Sequence, residues 1–178
     1  MRPVIALVAA ICCGIAYAQH NSGKATEQQA FNLGLDGPVV EHPIVLSDDE
    51  LAALANDELM KRELDQDPPI PKLTREGLEA GVVHLGPPNE RDLIVVGSGG
   101  PFIGANIGPF WIIRDLASGP VVVLHASTLS LSLRRSHTRG LRDIELFAAT
   151  AVEGTTTVLH FDGKEYAVSK QWSEELGK

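Results

Sequence analysis

Arg91-Asp92-Leu93-Ile94-Val95-Val96 and Arg142-Asp143-Ile144-Glu145-Leu146-Phe147 are two versions of one pattern, an Arg-Asp pair opening a mostly apolar, strand-like run. Each is followed by two more strand-like runs joined by a tight glycine turn. Internal self-similarity of this kind points to an architecture built from repeated supersecondary units. Working outward, the first unit reads as strands over 82–85, 92–96, 110–114 and 121–126, and the second as strands over 129–135, 143–148, 156–161 and 166–170. Leu129-Ser130-Leu131-Ser132-Leu133 alternates apolar and small polar residues, which gives a strand one wet face. Val121-Val122-Val123-Leu124 is apolar throughout and reads as covered on both faces. Ala117-Ser118-Gly119 supplies one turn, and Asp162-Gly163 is a two-residue hairpin signal. The expected fold class is mainly β: two four-stranded antiparallel meanders in one domain over 82–172, preceded by one amphipathic α-helix. The paired Asp92 and Asp143 are expected to do structural work, capping a turn or bridging to a neighbouring arginine at a strand entrance.

The helix has the clearest local signature. Ser47-Asp48-Asp49-Glu50 is a capping box, Leu46 and Leu51 occupy the two positions of a hydrophobic staple, and the three acids complement the positive end of the helix dipole. Leu51, Leu54, Ala55 and Leu59 lie at helical spacing and read as one apolar stripe. The helix fades around Leu64, and Asp67-Pro68-Pro69-Ile70-Pro71 forms a stiff connector. One further helical turn is expected over 74–80, stopped by Gly81. Helix and connector together span 47–81, and 173–178 is a short tail.

Residues 1–18 read as a cleaved signal peptide. Arg2 is the positive n-region, residues 4–15 are apolar, and Ala16-Tyr17-Ala18 offers a small-x-small cleavage pattern, with the cut after Ala18. The apolar run is shorter than the roughly 20 residues a membrane span needs, and Ile11 before Cys12 does not fit a lipidation motif. A periplasmic or secreted location follows, with no stable membrane insertion after cleavage. Cleavage removes both cysteines, so a mature chain of about 160 residues must rely on its apolar core without disulfides. Residues 19–46 are polar and glycine-rich and read as a flexible arm, whose Val39-Val40 and Ile44-Val45-Leu46 could dock on the domain edge. With 15 basic against 23 acidic residues the formal net charge is −8, which argues against nucleic acid and anionic membranes as partners. Arg134, Arg135, Arg139 and Arg142 form the one basic knot, read as a solvated strand end.

Several of these segments resemble a group of uncharacterised bacterial exported proteins. The resemblance rests on Arg91-Asp92-Leu93, on Phe110-Trp111-Ile112-Ile113-Arg114 as a Trp-x-x-Arg strand, and on Phe161-Asp162-Gly163-Lys164-Glu165-Tyr166 as a terminal hairpin. Where that group carries a cysteine-bracketed glycine loop before the Trp strand, this chain has the shorter Ile103-Gly104-Ala105-Asn106-Ile107. The units are also similar, more weakly, to integrin-type β-propeller blades, although two units cannot close a propeller and the Asp-rich calcium loop is missing. What the resemblance implies is a β fold and export, with no activity attached.

Residues 97–108 are the segment most suggestive of function. Gly97-Ser98-Gly99-Gly100-Pro101 resembles the nucleophile loop of trypsin-like serine proteases, but the Asp before the serine is missing, as is an Ala-Ala-His-Cys-like segment upstream. A serine nucleophile needs a histidine held by an acid, and a loop whose glycines permit unusual backbone angles is the simpler reading. No catalytic residue is therefore assigned. The loop is long for a hairpin and mixes glycines with Phe102, Ile103 and Ile107. Ser98, Phe102, Ile103, Asn106, Ile107 and the following Trp111 are the candidate binding residues, with the alternative that Phe102 and Ile107 fold back to cap the core. His84, His125, His137 and His160 show no metal-ligand spacing, so no metal and no cofactor is expected. The leading expectation is a non-enzymatic binding or accessory protein, of inhibitor or immunity type, acting on another envelope or secreted protein. The alternatives are a small hydrolase using Ser98 and a structural envelope subunit pairing through sheet edges.

Overall fold

A computed structural model describes residues 28–33, 38–65, 72–87, 90–99, 102 and 107–176. The elements run β1 (Ala30–Asn32), α1 (Asp48–Ala55), α2 (Glu58–Leu64), β2 (Leu78–Val83), β3 (Asp92–Gly97), β4 (Gly108–Leu116), β5 (Gly119–Thr128), β6 (Ser130–Thr138), β7 (Leu141–Ala149), β8 (Glu153–Phe161) and β9 (Tyr166–Glu175). The fold is mainly β, in two antiparallel sheets. One has the order β2-β3-β4-β5, a four-stranded meander; the other has the order β1-β6-β7-β8-β9. The expected signal peptide (1–18) and the proline connector (67–71) lie outside the described residues.

Three layers follow from where the apolar side chains go. In β3, Ile94 and Val96 enter the core between the two sheets, with Phe110, Ile112, Leu131, Ile144 and Leu159. Leu93 and Val95, on the other face, join Trp111, Ile113, Leu54, Leu59 and Met60 beneath the helices. A strand whose side chains alternate between two covered faces reads as an unbroken apolar run, as β3 does. The similar run in β5 was expected to be covered on both faces, and here the structure differs. β5 is an edge strand, Val121 is 42% exposed, and the register shifts opposite Ile112 and Ile113.

The passage from one sheet to the other is brief. Only Leu129 separates β5 from β6, and its N–H donates to Phe147 O at 3.0 Å, while the buried Thr128 hydroxyl donates to the same carbonyl at 2.7 Å.

The doubled Arg-Asp pairs open β3 and β7, and the two copies work differently. Asp92, buried, accepts from Leu85 N at 3.1 Å and from Arg114 Nε at 3.0 Å, so it both caps a turn and bridges to an arginine. Arg114 also pairs with Glu90. Asp143 has no such arginine clamp among the described residues: its Oδ2 is 3.7 Å from His160 Nε2. Burial raises its carboxyl, but the Ser136 and Thr138 hydroxyls and nearby positive charge outweigh this and leave it below the ordinary value. Arg142 donates to Arg134 O at 2.8 Å and Leu133 O at 2.9 Å, lacing the irregular stretch of β6 between Leu133 and His137. The basic knot thus includes one arginine with a defined structural task.

Three expectations are corrected. Instead of one helix the described residues form two, because the chain breaks at Asn56 and Asp57. No helical turn occupies 74–80: the chain enters β2 at Leu78, where pairing with Gly97, Val96 and Val95 satisfies the backbone in extended form. The arm is not merely flexible over its described part. Phe31 on β1 pairs with Leu131 and is 1% exposed, Ile44 N donates to Ala80 O at 2.8 Å, and Val39, Val40 and Leu46 are buried.

Candidate functional site

The break between the helices builds the site. Ser47 and Glu50 form the capping box of α1: Ser47 Oγ accepts from Glu50 N at 3.2 Å and Glu50 Oε2 from Ser47 N at 2.6 Å. After one short helix the chain turns through Asn56 and starts again with Asp57 as N-cap of α2. Asp57 Oδ1 accepts from Leu59 N at 2.9 Å and Met60 N at 3.1 Å, satisfying two amides that a helix start leaves unpaired.

The same carboxylate reaches the sheet. Trp111 on β4 and His125 on β5 are directly opposite each other in the antiparallel register. Asp57 sits over that pair: Oδ1 also accepts from Trp111 Nε1 at 2.9 Å, and Oδ2 lies 2.6 Å from His125 Nδ1. Burial raises the Asp57 carboxyl, but the hydrogen bonds from His125, Trp111 and Met60 more than compensate, so it stays ionised below its ordinary value. Nδ1 of His125 is then the donor, and Nε2 remains as the polar atom of a half-exposed ring.

A cleft of about 520 Å³ opens beside this pair, walled by Ala53, Asn56, Asp57 and Glu58 on one side, Val122, Val123, Leu124 and His125 on the second, and Glu165 and Tyr166 on the third. Val122 packs with the residues beneath the helices, whereas Val123 and Leu124 belong to the core between the sheets. A wall made of four successive residues is therefore the edge of β5 itself, and the cleft is a groove along that edge. Glu58 and Glu165 add acidic side chains. Tyr166 donates its hydroxyl to Arg142 O at 2.7 Å, and burial pushes its phenol well above the ordinary range, so it is a neutral, committed group.

Of the residues singled out from the sequence, Trp111 joins the site through its indole N–H, and the others fall elsewhere. Ser98 is half-buried and donates its N–H to Gly77 O at 3.0 Å. Extending the β3–β4–β5 register puts Ser98 level with Gly108 and Thr128, two strands over and three residues along from His125, a separation of roughly 14 Å from strand spacings. Phe102 is folded back and 4% exposed, with its ring edge-on to Trp111 at 6.3 Å between centroids. Gly97 makes room for it: a Cβ there would meet Phe102 Cβ at 2.6 Å. Ile107 is 45% exposed, Trp111 is fully buried, and Ile103 and Asn106 lie outside the described residues. Among the described residues no group of three or more His, Cys, Asp or Glu side chains is placed to hold a metal, and no helix is long and apolar enough to cross a membrane.

Sequence reasoning missed Asp57 and His125. The apolar stripe from Leu51 to Leu59 hides Asp57 inside a single helix, although Asn56-Asp57-Glu58 carries the marks of a second helix start. His125 looked like one more isolated strand histidine, because its partner is distant in sequence.

A carboxylate orienting an imidazole is half of a nucleophile-activating set, but among the described residues the cleft lining includes no serine, threonine or cysteine. Fold and site define a two-sheet β protein with helices roofing one sheet and an acidic groove along an open strand edge. Compared with known proteins, the chain matches no family model, no curated protein and no solved structure.

Proposed function

We propose that this protein is a binding module that captures an extended, basic segment of a partner protein by strand addition to β5. The observation that carries this reading is the groove wall of Val122, Val123, Leu124 and His125, which offers a strand edge as a template. The groove also supplies sign. Glu58, paired with Lys61 Nζ at 2.8 Å, and Glu165 line it beside the engaged Asp57, and the chain carries a formal net charge of −8, so lysine or arginine side chains alternating with small apolar ones suit it. The rigid Asp57–His125–Trp111 linkage holds the wall in place before the ligand arrives, which limits the ordering cost of binding. The signal-like residues 1–18 support an exported protein whose partner is another envelope or secreted protein. An intact mass beginning at Gln19 would bear that part out, and a retained leader would count against it.

Titration of the isotope-labelled protein with Lys-Val-Lys-Val-Lys and Glu-Val-Glu-Val-Glu peptides tests the binding reading. The basic peptide should shift the amides of residues 121–125, with an affinity that falls on adding salt. Glu58→Lys and Glu165→Lys should each weaken it by about threefold to tenfold. Unmoved β5 amides, or equal binding of the acidic peptide, would overturn it.

A further inference from the structure

The other long strand edge belongs to β9, at the end of the second sheet, and among the described residues no strand pairs with its outer side. The remaining edges are treated differently. β2 is met by Ile44, β1 is short, and the β5 edge forms the wall of the groove already described. β9 runs over Tyr166–Glu175, and every residue after Tyr166 is exposed. Long exposed edges are templates for pairing with another chain.

The face of β9 follows from its partner. Leu159 and Phe161 of β8 point into the core between the sheets, so Thr156 and Val158, of opposite parity, lie on the other face of the sheet, where Val158 is covered to 8% exposure. Lys170 is opposite Val158, Trp172 opposite Thr156 and Glu174 opposite Gly154, which puts all three on the outer face. Trp172 is 38% exposed there, with Lys170 Nζ at 5.0 Å from its ring centre.

We infer that β9 is a self-association edge, pairing antiparallel with β9 of a second copy about a two-fold axis at Trp172. The sequence of the edge specifies this occupant. Turned about Trp172, Lys170 falls opposite Glu174 of the second copy and Glu174 opposite Lys170, so two charge pairs form at once. Gln171 falls opposite Ser173 on the inner face, and the two Trp172 rings meet at the centre. Moving the axis by one residue to Gln171 or Ser173 sets Trp172 against Lys170 or Glu174 and leaves the other charge of each copy without an opposite partner. An isolated edge lysine guards a strand against pairing. Here Glu174 cancels Lys170 in one arrangement only, the one centred on Trp172. The interface is isologous, as closed two-fold assemblies require, and joins the two five-stranded sheets into one continuous sheet.

Sedimentation velocity of the purified protein from micromolar concentrations to about 1 mM reads the association directly. The native chain should dimerise within that range. Lys170→Glu and Glu174→Lys each place two like-charged pairs across the axis and should weaken the dimer about tenfold or more. The double exchange Lys170→Glu with Glu174→Lys restores opposite charges and should return the native dissociation constant to within about threefold. A monomer throughout, single variants that dimerise as well as the native chain, or a double exchange no better than the singles would overturn the inference. Circular dichroism of each variant separates lost pairing from lost folding.

Discussion

Asp57 uses both carboxylate oxygens: Oδ1 for two helix amides and an indole N–H, Oδ2 for an imidazole. Replacing it with alanine removes a helix cap, worth about 1 kcal/mol, and leaves the buried Trp111 N–H without a partner, which costs about 1–3 kcal/mol more. Asp57→Ala should therefore lose about 2–4 kcal/mol in urea unfolding. Asp57→Asn keeps an acceptor for the amides and should lose less. The pH dependence has a definite sign. A carboxyl whose folded-state value is lowered stabilises the fold above its unfolded value, and that contribution disappears as pH falls through the folded value. The stability gap between native protein and Asp57→Asn should be widest near neutral pH and close in strong acid; a gap constant with pH would contradict the assignment. Little of this was legible beforehand, because the indole and imidazole that Asp57 accepts from belong to strands more than fifty positions away in the chain.

The elements show which local signals carry through. The Ser47–Glu50 capping box formed as its spacing required, since cap chemistry is settled within one turn of helix. The Asp162-Gly163 signal marked a real hairpin but not its length: residues 162–165 form the connection, with Asp162 accepting from Lys164 N at 2.8 Å and Glu165 N at 3.0 Å. The β6–β7 turn gave no sequence warning. Arg139 (φ 52°) and Gly140 (φ 84°) both lie in the left-handed region, as a two-residue primed hairpin turn demands, and arginine is a poor first residue for it. Arg139→Asn should stabilise the protein by about 0.5–1 kcal/mol, visible as a higher urea midpoint at unchanged slope. A lower midpoint would show that the Arg139 guanidinium, near Gly163, contributes more than the turn strain costs.

At the scale of the molecule, β1 has an influence that its length hides. It carries Phe31 into the core between the sheets, paired with Leu131. Phe31→Ala should cost about 3–5 kcal/mol in urea or thermal unfolding, the penalty of a large buried cavity. A loss below about 1 kcal/mol would return this segment to the status of a loose arm.

The β content, the helix start, the meander order of the strands and the structural task of Asp92 are all legible in the order of the residues. Those features rest on side-chain periodicity and on partners a few residues away, or one hairpin away. The split of the helix at Asp57, the joining of β1 to the second sheet, the place of Phe102 and Trp111 under the helices and the groove beside His125 arise only in the folded molecule. Each of these depends on which faces meet across the layers. Contacts between distant segments leave no period in the chain, so their geometry exists only once the sheets have closed on one another.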